Sequence, residues 1–473
     1  MRYILKRFIA SNLVCSRRHS HRLHVAVVGS GPSGFYTTQY LLKNPNVKVD
    51  IYEKYPVPFG LIRFGVAPDH QDVKNVIKSL TVTGANERVS FYGNVSIGND
   101  VSLSQLRDAY NAVVLCYGSA RDRRLNIEGE NLSNVFAARR FVGWYNGVPQ
   151  DVDLPVNLNV ENVVIVGQGN VALDCARILL SPIEERLQKT DITNHALNAL
   201  RNSKVKRVFL VGRRGLAQVA FTLKEFRLIT KINDCRTIIT VEDCKDLTPE
   251  LIQNLERPRR RLTEFLIQTA NDTHSNQYKK ECILKFLRSP LKINGNENGV
   301  HSVLFGVNKL DNPQDEKAKA ILTNEIEQIS CGLVLKSIGY ETISIDPSLP
   351  MDERRGVIRN ENGRITECGK GLYCAGWAAT GAIGVILNTM SSSFEVAKII
   401  LEDIEHEQQL QRICRGSEVI LPVLKAKNVE IVEFSDWQRV DELEKSMGMK
   451  AGKPREKFVK EKDIIEAAKR KVG

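Results

Sequence analysis

The sequence predicts an α/β chain made of two Rossmann-like dinucleotide-binding domains, the second inserted into the first. Three observations carry this. In "HVAVVGSGPSGFYTTQYLL" a Val-rich strand turns through Gly29, Gly31 and Gly34 into a helix, and a second strand, "VKVDIYEK", leads to Glu53. The construction recurs at "ENVVIVGQGNVALDCARILL", with Gly167, Gly169 and Ala172 at the same spacing. Far downstream, "GRITECGKGLYCAGW" supplies another apolar strand that reads as a return to the first domain.

In the first turn, Gly29 permits a tight bend, Gly31 lets the backbone approach a pyrophosphate, and Gly34 allows close packing of helix on strand. The helix N-terminus favours phosphate charge. Glu53 lies 19 residues after Gly34, where a carboxylate can accept from ribose hydroxyls. In the second unit the following strand, "KVKRVFLVGRRG", ends in Arg213 and Arg214 where an NAD site would want an acid. Paired guanidiniums there point to the 2′-phosphate of NADP. Arg213 stands 41 residues past Ala172, because "SPIEERLQKTDITNHALNALRNSK" reads as polar helix and loop inserted before the strand. A solvated Arg pair is the plainer alternative.

"NAVVLCYGSARDRRLNIEGE" reads as a strand ending at Gly118, then a basic turn that leaves the first domain. The expected division is a leader over 1–21, a flavin domain over 22–122 and 342–473, and a nicotinamide domain over 123–341.

Bulk properties agree with a soluble protein of two or three domains: 473 residues, 42% hydrophobic and 26% charged. The net charge of +12 favours an anionic partner without choosing its class. Aromatic residues, at 7%, do not interleave the arginine run, which argues against nucleic acid. Ten cysteines show no CxxC or metal-ligand spacing, so no metal site is expected and a redox dithiol is disfavoured. The leader "MRYILKRFIASNLVCSRRHSHR" is basic and acid-free, with Ile4, Leu5, Phe8, Ile9 and Leu13 at helical spacing, the pattern of a mitochondrial transit peptide. No apolar run of about 18 residues predicts a membrane span.

Read together, "VPFGLIRFGVAPDH", "GQGNVALDCARILL", "VGRRG", "GW" followed by "GVI", and the late "GKPREK" resemble the mitochondrial NADPH:adrenodoxin (ferredoxin) reductases of the glutathione-reductase-like flavoprotein group, over about residues 22 to 473. The resemblance implies an enzyme that uses FAD to take a hydride from NADPH and passes single electrons to an acidic mitochondrial [2Fe-2S] ferredoxin. It places FAD against Gly29, Gly31, Ser33, Glu53, Leu61, Ile97, Trp377, Gly384, Val385 and Ile386. NADP would meet Gln168, Gly169, Asn170, Val171, Arg213, Arg214, Glu225 and Gly384. The ferredoxin-docking arginines match Arg257 and Arg261 in "ERPRRRLTEFLIQTA", four apart and able to share a helix face. A solvated charge run is the other reading of that stretch.

The resemblance implies location in the mitochondrial matrix or on the matrix face of the inner membrane. It leaves open peripheral membrane association and the downstream pathway, whether iron-sulfur assembly, haem A or coenzyme Q synthesis, or steroid hydroxylation. One departure stands out: relatives carry Lys-Arg-Gly-Pro after Gly-Trp, whereas this chain has "AATGA". His70 and Asp174 could relay a proton, against the simpler reading of a structural histidine and a helix-face acid. Two rival functions remain: an NADPH-dependent flavin reductase of a small molecule, and a non-catalytic NADP-binding protein.

Overall fold

The computed structural model describes residues 22–272, 278–313, 315–384 and 386–470. The leader assigned to 1–21 and Val385 lie outside the described residues.

The first domain is built on a five-stranded parallel sheet. Its order is Leu372–Cys374, Ala112–Leu115, Leu23–Val28, Val47–Glu53, Val89–Gly93. Helices cover both faces, so strands such as Leu23–Val28 read as nearly unbroken apolar runs. The outermost of these strands, Leu372–Cys374, arrives from far along the chain and pairs in register with Val113–Leu115. Between leaving and returning, the chain builds the second domain. Its six-stranded parallel sheet has the order Val135–Ala137, Leu333–Lys336, Asn162–Val166, Arg207–Val211, Lys280–Lys285, Cys235–Ile238.

One face of the second sheet packs on helices through Ala172, Leu179, Phe226 and Leu266. On the other face, Val135, Val164, Val166 and Val211 meet Ile293, Val303, Phe305 and Ile329. These come from a three-stranded antiparallel sheet, Arg288–Asn296, Gly299–Leu310 and Ala320–Ser330. Each such side chain, fully buried, stabilises the fold by roughly 1.5–3 kcal/mol.

The outgoing and returning connections run side by side: Arg121–Asp122 pairs antiparallel with Tyr340–Glu341. The chain is therefore a doubly wound domain with a second one inserted in it. After the return, the helices Phe434–Lys450 and Glu461–Lys469 pack on the first domain through Trp437, Val440 and Ile464. The "GKPREK" stretch between them reaches across to the second domain. There Lys453 donates to the Ile192 carbonyl at 2.5 Å, and Lys457 Nζ lies 3.1 Å from Asp191 Oδ2.

Candidate active site

Both glycine turns are shaped by backbone crowding on one side and open space on the other. A Cβ on Gly29 (φ +104) would stand 2.7 Å from the Cys116 carbonyl oxygen, and one on Gly34 would stand 2.0 Å from that of Gly29. In the second turn a Cβ on Gly167 (φ +123) would meet the Ser337 carbonyl oxygen at 2.1 Å. Gly31 and Gly169, by contrast, would place a Cβ within 4 Å of nothing. Each of these two is the N-cap of the helix that follows, Pro32–Leu41 or Asn170–Leu180, with no side-chain cap. The first-turn N–H groups of both helices thus face the open side, the donor set that a pyrophosphate takes up. Two dinucleotides fit these residues.

Glu53 ends the strand beside the first turn, 6% exposed. Its Oε2 accepts from the backbone N–H and the hydroxyl of Ser30, both at 2.8 Å, and its Oε1 from the Tyr55 N–H at 3.1 Å. Three donors fix the carboxylate next to the glycines. Ser33 is buried one turn along, with its Oγ 2.9 Å from Ser393 Oγ of the helix Ile386–His406. Ile97 is buried in the apolar cluster of Tyr52 and Val95, whereas Leu61 is half-exposed.

The stretch "GWAATGAIGVI" meets this turn directly. Gly376 (φ +63) would bring a Cβ to 2.6 Å from Ser33 Cβ, so only glycine fits. Trp377 opens a short helix, Trp377–Thr380, and lies against Tyr340 with ring centroids 6.0 Å apart. Its carbonyl accepts from Thr342 Oγ1 at 3.3 Å, which ties the returning connection to the strand end. Ala378 and Ala379 are 0% and 7% exposed, so the "AATGA" departure puts small apolar side chains where the chain turns inward. Gly384 (φ +87) precedes the helix Ile386–His406.

At the second turn the Gln168 side chain points inward, its Nε2 donating to the Leu210 and Lys285 carbonyls at 3.0 Å each. Asn170 Oδ1 accepts the Thr222 N–H at 2.9 Å. Both side chains are engaged with the protein, and the Gln168 carbonyl accepts the Ala220 N–H at 3.0 Å, so what the turn offers a ligand is its N–H groups. Val171 packs against the second core. Arg213 is exposed and Arg214 half-buried. Burial, then Arg213 and Arg259, push the Arg214 guanidinium below its ordinary value. Arg259 was not singled out in the sequence; it donates to the Val219 carbonyl and lies 3.3 Å from Glu316. The accumulation of like charge suits a doubly charged phosphate.

Arg259 belongs to the helix Arg257–Ala270, whose proline sits in the first turn. Arg257 and Arg261, one turn apart, are both exposed.

Between the domains lies a buried charge group. Arg177, fully buried, bonds Asp69 through Nε at 2.6 Å and Nη2 at 2.9 Å, and Asp174 at 2.6 Å. His70 Nε2 lies 3.3 Å from Glu225 Oε2 and 4.0 Å from Asp174 Oδ1. Glu225 is held here because Thr222 caps its helix, Leu223–Ile229. Burial raises the carboxyls of both Asp174 and Glu225 above the usual range. His70, Asp174 and Glu225 offer donor atoms within 4.8 Å of one another, a spacing that could suit a metal. The Arg177 guanidinium, 3.7 Å from Glu225 and bonded to Asp174, already supplies the cation there. The nine cysteines among the described residues are all free thiols.

The sequence profile described as "Pyridine nucleotide-disulphide oxidoreductase" matches residues 23–212. The human mitochondrial NADPH:adrenodoxin oxidoreductase is 46% identical over 450 residues, covering 93% of this chain and 91% of that protein. The chain belongs to the NADPH:adrenodoxin oxidoreductase family. The Arabidopsis thaliana member of the family is 40% identical over 485 residues, 99% of this chain and 98% of its own. Among solved structures, Mycobacterium tuberculosis FprA in complex with NADPH superposes with a TM-score of 0.89 at 32% identity, over 95% of this chain and 100% of that one. The likeness to the family thus runs through both domains and the C-terminal helices.

Proposed function

We propose that the chain is a mitochondrial NADPH:ferredoxin oxidoreductase, taking a hydride from NADPH and delivering electrons singly to an acidic [2Fe-2S] ferredoxin of the adrenodoxin kind. The observation that carries this reading is the 46% identity to the human enzyme over 93% of the chain. FAD, when bound, accepts two electrons together and releases them one at a time, which is the chemistry the conversion needs.

The chain's own residues bind and orient. Gly29, Gly31 and Ser33 with Glu53 hold the flavin dinucleotide, with Leu61, Ile97, Trp377, Gly384, Val385 and Ile386 along it. The helix Ile386–His406 directs its N-terminal dipole toward that end of the site. Gln168, Gly169, Asn170, Val171 and Glu225 hold NADPH, Arg213 and Arg214 hold its 2′-phosphate, and Gly384 leaves room for the nicotinamide. Arg257 and Arg261 present the docking face to the acidic partner. The boundaries 22–122, 123–341 and 342–473, the leader 1–21 and the matrix location belong to the same reading.

Among the described residues no helix is long and apolar enough to cross a membrane; peripheral association with the inner membrane is an extension of the proposal. The deciding experiment mixes purified protein, NADPH, a mitochondrial [2Fe-2S] ferredoxin and cytochrome c. The reading requires a yellow protein that NADPH bleaches and cytochrome c reduction that depends on ferredoxin. Bleaching without ferredoxin dependence would turn the assignment to a small-molecule flavin reductase.

A further inference from the structure

The basic turn "RDRR" at Arg121–Arg124 has no task in either dinucleotide site. It forms one wall of a cleft of about 1230 Å³. Six cations line that cleft, Arg121, Arg123, Arg124, Arg139, Arg140 and Lys336, against the carboxylates of Asp122, Glu130 and Glu341.

The acids are already committed. Asp122 takes the Nε and Nη2 of Arg139 at 3.1 and 3.2 Å. Glu130 takes Lys336 at 2.6 Å and the N–H groups of Leu125 and Asn126 at 2.9 Å each. Glu341 is shared by Arg121 at 3.1 Å and Arg123 at 3.9 Å. Arg140 draws on Asp151, at 2.9 Å, from outside the cleft. Arg124 is exposed and makes no ion pair among the described residues. The acids of the wall are therefore already paired, and the six cations outnumber the three carboxylates. Leu132, Phe136 and Ile343 add an apolar side.

We propose that this cleft binds an organic polyphosphate of nucleotide size, with its phosphates on Arg121 and Arg124 and its organic body against Phe136. Guanidinium groups match phosphate oxygens in paired hydrogen bonds, and a cleft with basic groups on one side and apolar ones on the other suits a small molecule that carries both phosphate and an organic ring. The site is separate from the 2′-phosphate arginines. The edge strand Val135–Ala137 is separated from Arg207–Val211 by two strands, so three strand spacings, about 14 Å, lie between them. Both connections between the domains line the cleft, through Arg121–Arg124 and Glu341. A ligand there bears on how the two domains are held together.

The test uses the FAD-loaded enzyme saturated with NADP⁺, so that the Arg213 and Arg214 site is filled, and titrates ATP by calorimetry. One further ATP per chain is expected. Arg124→Glu, at an exposed and unpaired position, is expected to weaken it at least tenfold while FAD content and the KM for NADPH stay unchanged; Arg121→Ser with Arg124→Ser should do the same. Tripolyphosphate is expected to bind more weakly than ATP. Absence of ATP binding to the NADP⁺-saturated enzyme, or equal affinity in the variants, overturns the site. Equal affinity for tripolyphosphate and ATP overturns the role of the apolar wall.

Discussion

Lys457 Nζ lies 3.1 Å from Asp191 Oδ2, while Lys74 Nζ bonds both oxygens of the same carboxylate at 2.6 and 2.7 Å. Two buried ammonium groups from the first domain share one carboxylate of the second. Removing the carboxylate leaves both uncompensated, so Asp191→Asn is expected to destabilise the protein by ~3–5 kcal/mol. Lys457→Met leaves a one-to-one pair of Lys74 and Asp191 and should cost far less. Urea unfolding of both variants checks the order; a larger loss in Lys457→Met would refute the shared-carboxylate account.

The same group sets a pH dependence. Burial, opposed by Asp191, pushes the Lys457 ammonium down to about 7. An unfolded lysine titrates near ~10.4, so between these values the unfolded chain binds more protons than the folded one. Stability from this group therefore rises with pH from about 7 upward, by at most ~1.4 kcal/mol per unit. For Asp191, burial acts upward but is outweighed by Lys457 and Lys74, and its carboxyl lies well below the usual range. Its contribution is present at neutral pH and lost in acid. Unfolding midpoints at pH 7 and pH 9 should climb in the parent protein and stay flatter in Lys457→Met.

Arg213→Ala with Arg214→Ala is expected to raise the KM for NADPH and leave that for NADH nearly unchanged. Each lost charge-assisted hydrogen bond removes ~1.5–3 kcal/mol, so the preference should fall by at least about tenfold. A retained preference for NADPH would move the 2′-phosphate elsewhere.

Arg257→Glu with Arg261→Glu should slow ferredoxin-dependent cytochrome c reduction at low salt and flatten its salt dependence, since exposed charges are screened beyond ~10 Å at 0.1 M. NADPH-driven ferricyanide reduction serves as the control and should not change. Equal slowing of both reactions would place these arginines in coenzyme binding.

Gly376→Ala would drive a methyl group to within 2.6 Å of Ser33 Cβ at a φ of +63. Loss of bound FAD during purification is the expected result, read from the ratio of flavin to protein absorbance.

The parts of the fold legible in the sequence were those with short-range rules. The two turns were found because glycine is demanded where backbone crosses backbone, as at Gly29 and Gly167. Arg213 and Arg214 were legible as a strand end despite the inserted residues, because those residues form their own helices, Ile183–Leu187 and Asn194–Arg201. What was hidden depends on distant partners. Sequence reasoning pairs His70 with Asp174, but its nearer neighbour Glu225, 155 positions away, carries no local sign of the contact. Arg259 was passed over between Arg257 and Arg261 because helical spacing tells which residues share a face and not what that face meets. "GKPREK" was useful as a family mark, but its role as a cross-domain clamp rests on burial that no spacing rule encodes.

The strand Leu372–Cys374 completes the first sheet by pairing with Ala112–Leu115. A chain made from its N-terminus exposes that sheet's unfinished edge throughout synthesis of the whole inserted domain. At ~5–20 residues per second the wait is on the order of tens of seconds. The inserted domain can close on its own strands during that interval, while the domain that begins first finishes last. The bare edge of Ala112–Leu115 is then the segment most in need of a chaperone while the chain is still being made.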